Sequence, residues 1–266
     1  MNELVICPLH GRLGNILFEL ATALTYVRKY NKDLGCVITE RNNIASYPYY
    51  TRTFNMFKML TEMKQIPANT HWFTEPLDYT TIELPNVDGK YILFNGYFQN
   101  EEYFDKPFIK ELFKPSYLDI ENVKAKYGDL SDYVSINVRR GSDYTDFGEY
   151  FVNPSAAWYE KCYHKYFEGR KVIITSDDIE WCKQNIHIDG AIYADKKEPN
   201  DYYTDLWTCV MCKDHIIYAG TYGWWGAWLG EKEDSKVIVP DHWWGPRNAN
   251  KTENIIPERW IREELC

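Results

Sequence analysis

Leu4-Val-Ile-Cys-Pro-Leu-His10-Gly11-Arg-Leu-Gly-Asn15-Ile-Leu-Phe, running on to Tyr30, sets the pattern from which the fold follows. A short apolar run rich in β-formers, Leu4–Cys7, meets a glycine-containing turn. Apolar residues at three-to-four spacing then continue from Asn15 to Tyr30, the period of a helix with a buried stripe. The same order of run, turn and helix recurs. Further strands are expected at Cys36–Thr39, Tyr91–Asn95, Val134–Val138, Val172–Thr175, Ala191–Ala194, Ile216–Ala219 and Val237–Val239. Between them, helices are expected near Glu101–Phe113, Ser155–Phe167, Asp178–Gln184 and Tyr202–Cys212. Alternation of this kind implies parallel sheets covered on both faces.

The polar, weakly patterned stretch Phe113–Asp132, with Pro115 near its start, separates two such series. It predicts two Rossmann-like domains, residues 1–115 and 116–266. A chain of 266 residues is long enough for two cores of that size.

Composition excludes some functions. With 39 acids against 30 bases the net charge is -9, which opposes binding to nucleic acid through long-range attraction. An anionic ligand must then be held by local cations. The opening MNELVICPL lacks the basic and apolar regions of a secretory signal, and the apolar segment Ile216–Leu229 is too short to span a bilayer. Seven cysteines, an odd number, fit reduced thiols. The expectation is a cytoplasmic protein, a setting compatible with loose attachment to a membrane; the oligomeric state is not fixed. Cys209 and Cys212 lack a second pair or a nearby His at ligand spacing, so no metal is expected. Aromatic residues make up 17% of the chain, which suits either sugar-stacking faces or core filling.

Parallel sheets take ligands at the carboxyl ends of their strands, and four segments fall there. His10-Gly-Arg-Leu-Gly-Asn15 is either a structural strand-to-helix turn or one that brings a ligand close to backbone N–H groups. Val134-Ser-Ile-Asn-Val-Arg139-Arg140-Gly-Ser-Asp143 ends a strand on adjacent arginines, which suit a pyrophosphate or, alternatively, a solvated surface facing acids. Ile174-Thr-Ser176-Asp177-Asp178-Ile-Glu180 places acids where they could accept from a guanine edge or a ribose hydroxyl. Asp177 and Glu180 also have the form of a helix N-cap with an acid in the first turn, so one aspartate is read as the cap and the other as facing the cleft. Ala219-Gly-Thr221-Tyr222-Gly-Trp-Trp-Gly-Ala-Trp228 enters an aromatic helix. Its tryptophans read as core, which leaves Thr221 and Tyr222 as ligand candidates.

Taken in order, Gly11-Arg-Leu-Gly-Asn15-Ile-Leu-Phe18, Gly96-Tyr-Phe-Gln-Asn100-Glu101, Arg139-Arg140-Gly, Ser176-Asp-Asp-Ile-Glu-Trp181 and Thr221 to Leu229 resemble the motifs of glycosyltransferase family 11, the α-1,2-fucosyltransferases. The resemblance implies an α/β fold of the GT-B type, two Rossmann-like domains facing a cleft, with the C-terminal one holding GDP. It also implies inverting, metal-independent transfer from GDP-fucose to the 2-hydroxyl of a β-galactoside glycan acceptor. By the same resemblance Arg139 and Arg140 neutralise the pyrophosphate, and Asp143 takes the part of the family aspartate. Ser176 belongs to the donor-binding segment, Asp177 or Asp178 contacts the guanosine, and Thr221 with Tyr222 holds phosphate and base. Gly11 and Asn15 shape the donor or acceptor cleft. Asn137 stands where the family has His, Ser142 is an insertion before Asp143, and Gly220 and Gly223 replace polar residues. These departures leave open a different nucleotide sugar, or a carbohydrate-binding homologue without activity.

Overall fold

The computed structural model describes residues 3–38, 61–63, 66–141, 146, 148–195 and 202–265. The chain divides into two compact units, Met1–Leu112 and Phe113–Cys266.

In the first unit β1 (Leu4–Leu9) leads into α1 (Leu13–Tyr30), then β2 (Asp33–Ile38), β3 (Thr61–Met63), β4 (His71–Thr74), β5 (Tyr91–Asn95), a 3-10 turn at Glu101–Tyr103 and α2 (Lys106–Leu112). The strands form a parallel sheet in the order β3-β2-β1-β5-β4. The chain therefore moves outward from β1 on one side and returns on the other, so the order reverses between β1 and β5. Pro8, which has no N–H to donate, lies past Ile6, where the β5 ladder stops. Residues Leu13 to Leu24 of α1 are almost all buried, including Glu19.

The second unit opens with α3 (Tyr117–Tyr127), β6 (Val134–Val138), α4 (Ala156–Phe167), β7 (Val172–Ser176), α5 (Ile179–Asn185) and β8 (Ile192–Tyr193). It continues with α6 (Tyr202–Met211), β9 (Asp214–Ile217), α7 (Thr221–Gly230), β10 (Val237–Pro240), a 3-10 turn at Pro246–Asn248 and β11 (Ile261–Glu263). Its sheet is also parallel, in the order β11-β10-β9-β6-β7-β8, and reverses between β6 and β9. Every residue of β6 and β7 is buried, as strands covered by helices on both faces must be.

Two sequence expectations are corrected. The stretch expected as a bare connection contains α3, started by a capping box: Ser116 Oγ accepts from the Asp119 N–H, and Asp119 returns a bond to the Ser116 N–H. Only Val123 of this helix is buried, so no apolar stripe announces it. The helix expected over Glu101–Phe113 is instead a 3-10 turn and α2, broken at Phe104 by extended backbone. The tryptophans of α7 are core, as read: Trp224, Trp225 and Trp228 are fully buried, with Trp224 and Trp228 stacked 5.6 Å apart.

Candidate active site

The arginines sit where β6 ends, at the reversal of the C-terminal sheet. Arg139 Nη1 lies 2.7 Å from Asp177 Oδ2, and both side chains are mostly buried. The other oxygen of Asp177 accepts from the Arg140 backbone N–H at 2.7 Å. Both oxygens of Asp177, the residue after β7, thus hold the arginine segment that follows the neighbouring strand. The Arg140 guanidinium is set by different means. It donates to Asn153 Oδ1 at 3.3 Å and lies 4.1 Å over the ring of Trp181 on α5, a flat seat that suits its planar cation. Among the described residues no carboxylate pairs with the Arg140 guanidinium. One cation is therefore compensated, and the other has no carboxylate partner among the described residues.

The second aspartate does the capping. Asp178 is the N-cap of α5, its Oδ1 accepting from the Trp181 N–H at 3.0 Å, while Glu180 pairs with Lys183. Of the two aspartates left open as the cap, Asp178 takes that place, and Asp177 is engaged by Arg139 and the Arg140 main chain. Ser176 is buried, and its hydroxyl accepts from the Asp178 N–H at 3.0 Å. It shapes the turn.

On the other flank of β6, β9 ends and the chain enters α7. A Cβ on Gly220 would fall 1.9 Å from the ring of Tyr218, so only glycine fits. Gly220 supplies no side-chain cap to α7, whose first N–H groups are of the kind that can meet an anion. Thr221 is half-buried, and the half-buried Tyr222 donates its hydroxyl to the Tyr202 carbonyl. Asp143 lies outside the described residues. The C-terminal unit therefore gathers Arg139, Arg140, Asp177 and the start of α7 around the ends of three neighbouring strands.

Gly11 and Asn15 belong to the N-terminal unit, at the end of β1. Gly11 adopts φ 74°, in the left-handed region, and a Cβ there would meet Asn15 Nδ2 at 2.6 Å. Asn15 Oδ1 accepts from Gln99 Nε2 at 3.1 Å, joining the β1 turn to the segment after β5. Sequence reading did not single out the buried acids beside this turn. Glu19, on α1, accepts from the His10 N–H and is hydrogen-bonded to His10 Nδ1, both at 2.9 Å. Glu75 Oε2 accepts from the N–H groups of Tyr97 and Phe98 at 2.8 and 3.0 Å. Burial pushes Glu19 up to about 7 despite the opposing pull of His10. An acid inside a helix face that is otherwise apolar was the available signal.

Among the described residues no group of three or more His, Cys, Asp or Glu side chains is placed to hold a metal ion. Nor is any helix among them long and apolar enough to cross a membrane.

A parallel sheet in each half, each with polar and charged side chains where its strand order reverses, defines a protein of the Rossmann-like α/β class. The same fold is found in the fucosyltransferase NodZ from Bradyrhizobium, with a TM-score of 0.54 and 11% identity over 85% of this chain and 92% of that one. A NodZ α-1,6-fucosyltransferase crystal soaked with GDP-fucose matches at a TM-score of 0.52, with 9% identity over 86% of this chain and 93% of that one.

The chain belongs to glycosyl transferase family 11, whose profile matches residues 77–264. It is 32% identical over 192 residues to an α-1,2-colitosyltransferase of Escherichia coli, covering 64% of this chain and 62% of that protein. It is 28% identical to the Escherichia coli O-antigen biosynthesis glycosyltransferase WbnK, over 79% of this chain and 71% of that one. A galactoside 2-α-L-fucosyltransferase of Bos taurus shares 23% over 82% of this chain and 62% of that protein. The chain thus spans less than two thirds of the colitosyltransferase's length.

Proposed function

We propose that this protein transfers fucose from GDP-fucose, with inversion, to the 2-hydroxyl of a β-galactoside glycan. The observation that carries the reading is the guanidinium of Arg140, which no carboxylate among the described residues pairs, at the strand-order reversal of the C-terminal unit. Breaking the bond from the sugar C1 to the phosphate oxygen leaves a growing negative charge on GDP. A fixed guanidinium and helix N–H groups lower the barrier by meeting that charge where it forms. Arg140 is the primary cation, and Arg139, already tied to Asp177, holds the segment in place while contributing its remaining donors.

In this assignment Thr221 and the neighbouring N–H groups meet phosphate, and Asp178 lies on the guanosine side. Asp177 acts through the arginines rather than on the base. Asp143 takes the family aspartate's part. The C-terminal unit carries the donor, the N-terminal unit carries the acceptor, and Gly11 with Asn15 shapes the acceptor side. Because Arg140 supplies the positive charge, no metal is needed. The setting is cytoplasmic, where glycans on lipid carriers would bring the enzyme to a membrane surface, and no nucleic acid takes part.

The test is GDP release from GDP-fucose in EDTA, with and without lactose. Release stimulated by lactose is the expected result; no binding of GDP at all would refute the donor assignment. A second reading is favoured by Asn137 and Gly223, which replace family residues beside the site, and by the colitosyltransferase among the relatives. It keeps the reaction but changes the sugar to another GDP-linked deoxyhexose. GDP binding without turnover of GDP-fucose would select it.

A further inference from the structure

Inverting transfer requires a group that can take the proton of the acceptor hydroxyl, and at the arginine site the described aspartates, Asp177 and Asp178, are already engaged by the arginine segment and by the start of α5. The N-terminal unit holds a group that can. His10 follows β1 directly, at the β1/β5 reversal of the sheet, where ligands of such sheets bind. Its Nδ1 is fixed 2.9 Å from Glu19 Oε1, and its backbone N–H is fixed 2.9 Å from Oε2, so one carboxylate clamps both ring and main chain. The carboxylate side chain is 2% exposed and the imidazole 33% exposed. Once ionised, the buried acid behind a half-exposed imidazole holds the tautomer with hydrogen on Nδ1 and the lone pair on Nε2.

The surroundings keep that arrangement rigid. The Tyr97 ring meets the imidazole edge-on at 6.4 Å. Glu75, whose carboxylate faces the same region, is committed to the Tyr97 and Phe98 N–H groups. A Cβ at Gly96 would fall 2.4 Å from the Glu75 Cβ, which lets this segment pack closely.

We infer that His10, oriented by Glu19, is the proton acceptor for the hydroxyl of the glycan acceptor. The inference rests on the transferase reading above. In the step, the hydroxyl oxygen forms its bond to the sugar C1 while the bond from C1 to phosphate oxygen breaks and its electrons leave on GDP. The hydroxyl proton passes to His10 Nε2, giving an imidazolium paired with the Glu19 carboxylate, and later goes to solvent. Glu19 is a positioning residue: it raises the basicity of the ring without touching substrate.

The groups facing the imidazole are Glu19 from α1 and Tyr97 from the segment after β5; Glu75 and Tyr79 stand behind Tyr97. The hydrogen bond to Glu19 raises the affinity of His10 for its proton above the ordinary value, against the effect of burial. Turnover should therefore rise with pH through a midpoint above that of a free histidine.

The experiment compares wild type, His10→Gln and Glu19→Gln in GDP-fucose turnover with lactose across pH, in GDP-induced thermal shift, and in imidazole NMR. His10→Gln should lower kcat by a hundredfold or more while the GDP thermal shift is retained. Glu19→Gln should lower kcat at least tenfold and move both the acid limb and the His10 NMR midpoint to lower pH. A His10→Gln variant with kcat within threefold of wild type, or a Glu19→Gln variant whose acid limb does not move, overturns the inference. Should His10→Gln fail to fold, Glu19→Gln and its NMR midpoint decide it. A wild type that turns over no GDP-fucose with any galactoside overturns the functional reading itself, a result separable from wild-type turnover that survives loss of His10.

Discussion

Asn137 and Gly223 face each other directly: a Cβ on Gly223 would lie 2.8 Å from Asn137 Oδ1. The carboxamide is buried at the end of β6, its Nδ2 donating to Thr175 Oγ1 at 2.7 Å, while Oδ1 has no hydrogen-bond partner among the described residues. These are two of the positions at which the chain departs from the family pattern, so the departures form one steric unit. Gly223→Ala gains up to about 1 kcal/mol in helix propensity but crowds a buried amide, at a cost of about 1–3 kcal/mol. Crowding wins, and urea denaturation should show a net loss. In an Asn137→Ala background the same change should be neutral or stabilising, a coupling of about 1 kcal/mol or more in a double-mutant cycle.

The division of labour between the arginines predicts unequal mutants. Arg140→Ala removes the cation that no carboxylate among the described residues pairs and should cost about 10²–10³ in kcat with GDP-fucose. Arg140→Lys should recover little, because the planar fork over Trp181 and the bond to Asn153 are lost. Asp177→Asn leaves both cations present but loosens Arg139 and the Arg140 main chain. A smaller loss is expected, up to about a hundredfold through misplacement. Steady-state kinetics on the three variants check the ranking, and an Asp177→Asn loss larger than that of Arg140→Ala would reverse it.

The parts of the fold that repeat an apolar strand and an amphipathic helix were readable. Tyr91–Asn95 and Val134–Val138 fall where expected, because buried parallel strands are continuous apolar runs. The strands His71–Thr74 and Ile261–Glu263 were not readable. They are short edge strands, with Trp72 half-exposed and Arg262 exposed, and a one-sided ladder imposes little pattern. At the candidate site, strand-end arginines and aspartates were visible as types. Which aspartate caps and which pairs depends on the adjacency of β6 and β7, a tertiary fact. The His10–Glu19 pair was hidden for a related reason: its members are nine residues apart and meet only once α1 packs beside β1.

His215 predicts an acid-sensitive core. Its ring is fully buried, with Nδ1 2.8 Å from Ser135 Oγ and Nε2 without a partner among the described residues, and burial pushes it down to about 3. The unfolded chain binds a proton on this ring near pH 6.5, so between those values the unfolded state holds more protons and stability falls as pH falls. Lowering pH from 7 to 5 should cost about 2 kcal/mol through this residue. Glu19 acts in the opposite sense: its raised value makes it lose stability as pH rises from about 4.5 to about 7. The net profile therefore hides both. The difference between wild type and His215→Gln isolates the histidine, and it should shrink by about 2 kcal/mol between pH 7 and pH 5 in urea denaturation. A difference independent of pH would mean that the ring takes up its proton as readily in the folded state as in the unfolded one.

The thiols should be silent until the chain unfolds. Cys7, Cys36, Cys162, Cys182, Cys209 and Cys212 are all buried and form no disulfide, and burial pushes Cys182 up to about 11 and Cys209 up to about 12. Reagents attack the thiolate, so these groups lack both access and the reactive form. Of the seven cysteines in the sequence, Cys266 lies outside the described residues. Titration with an aromatic disulfide should therefore count at most one thiol in the native protein and seven in guanidinium. Cys209 Sγ contacts Thr175 Oγ1 at 3.3 Å, a partner that a serine hydroxyl keeps. Cys209→Ser should thus stay within about 1 kcal/mol of wild type with turnover unchanged. Rapid native reaction of two or more thiols would require the packing around α6 and β7 to open on the timescale of the reagent.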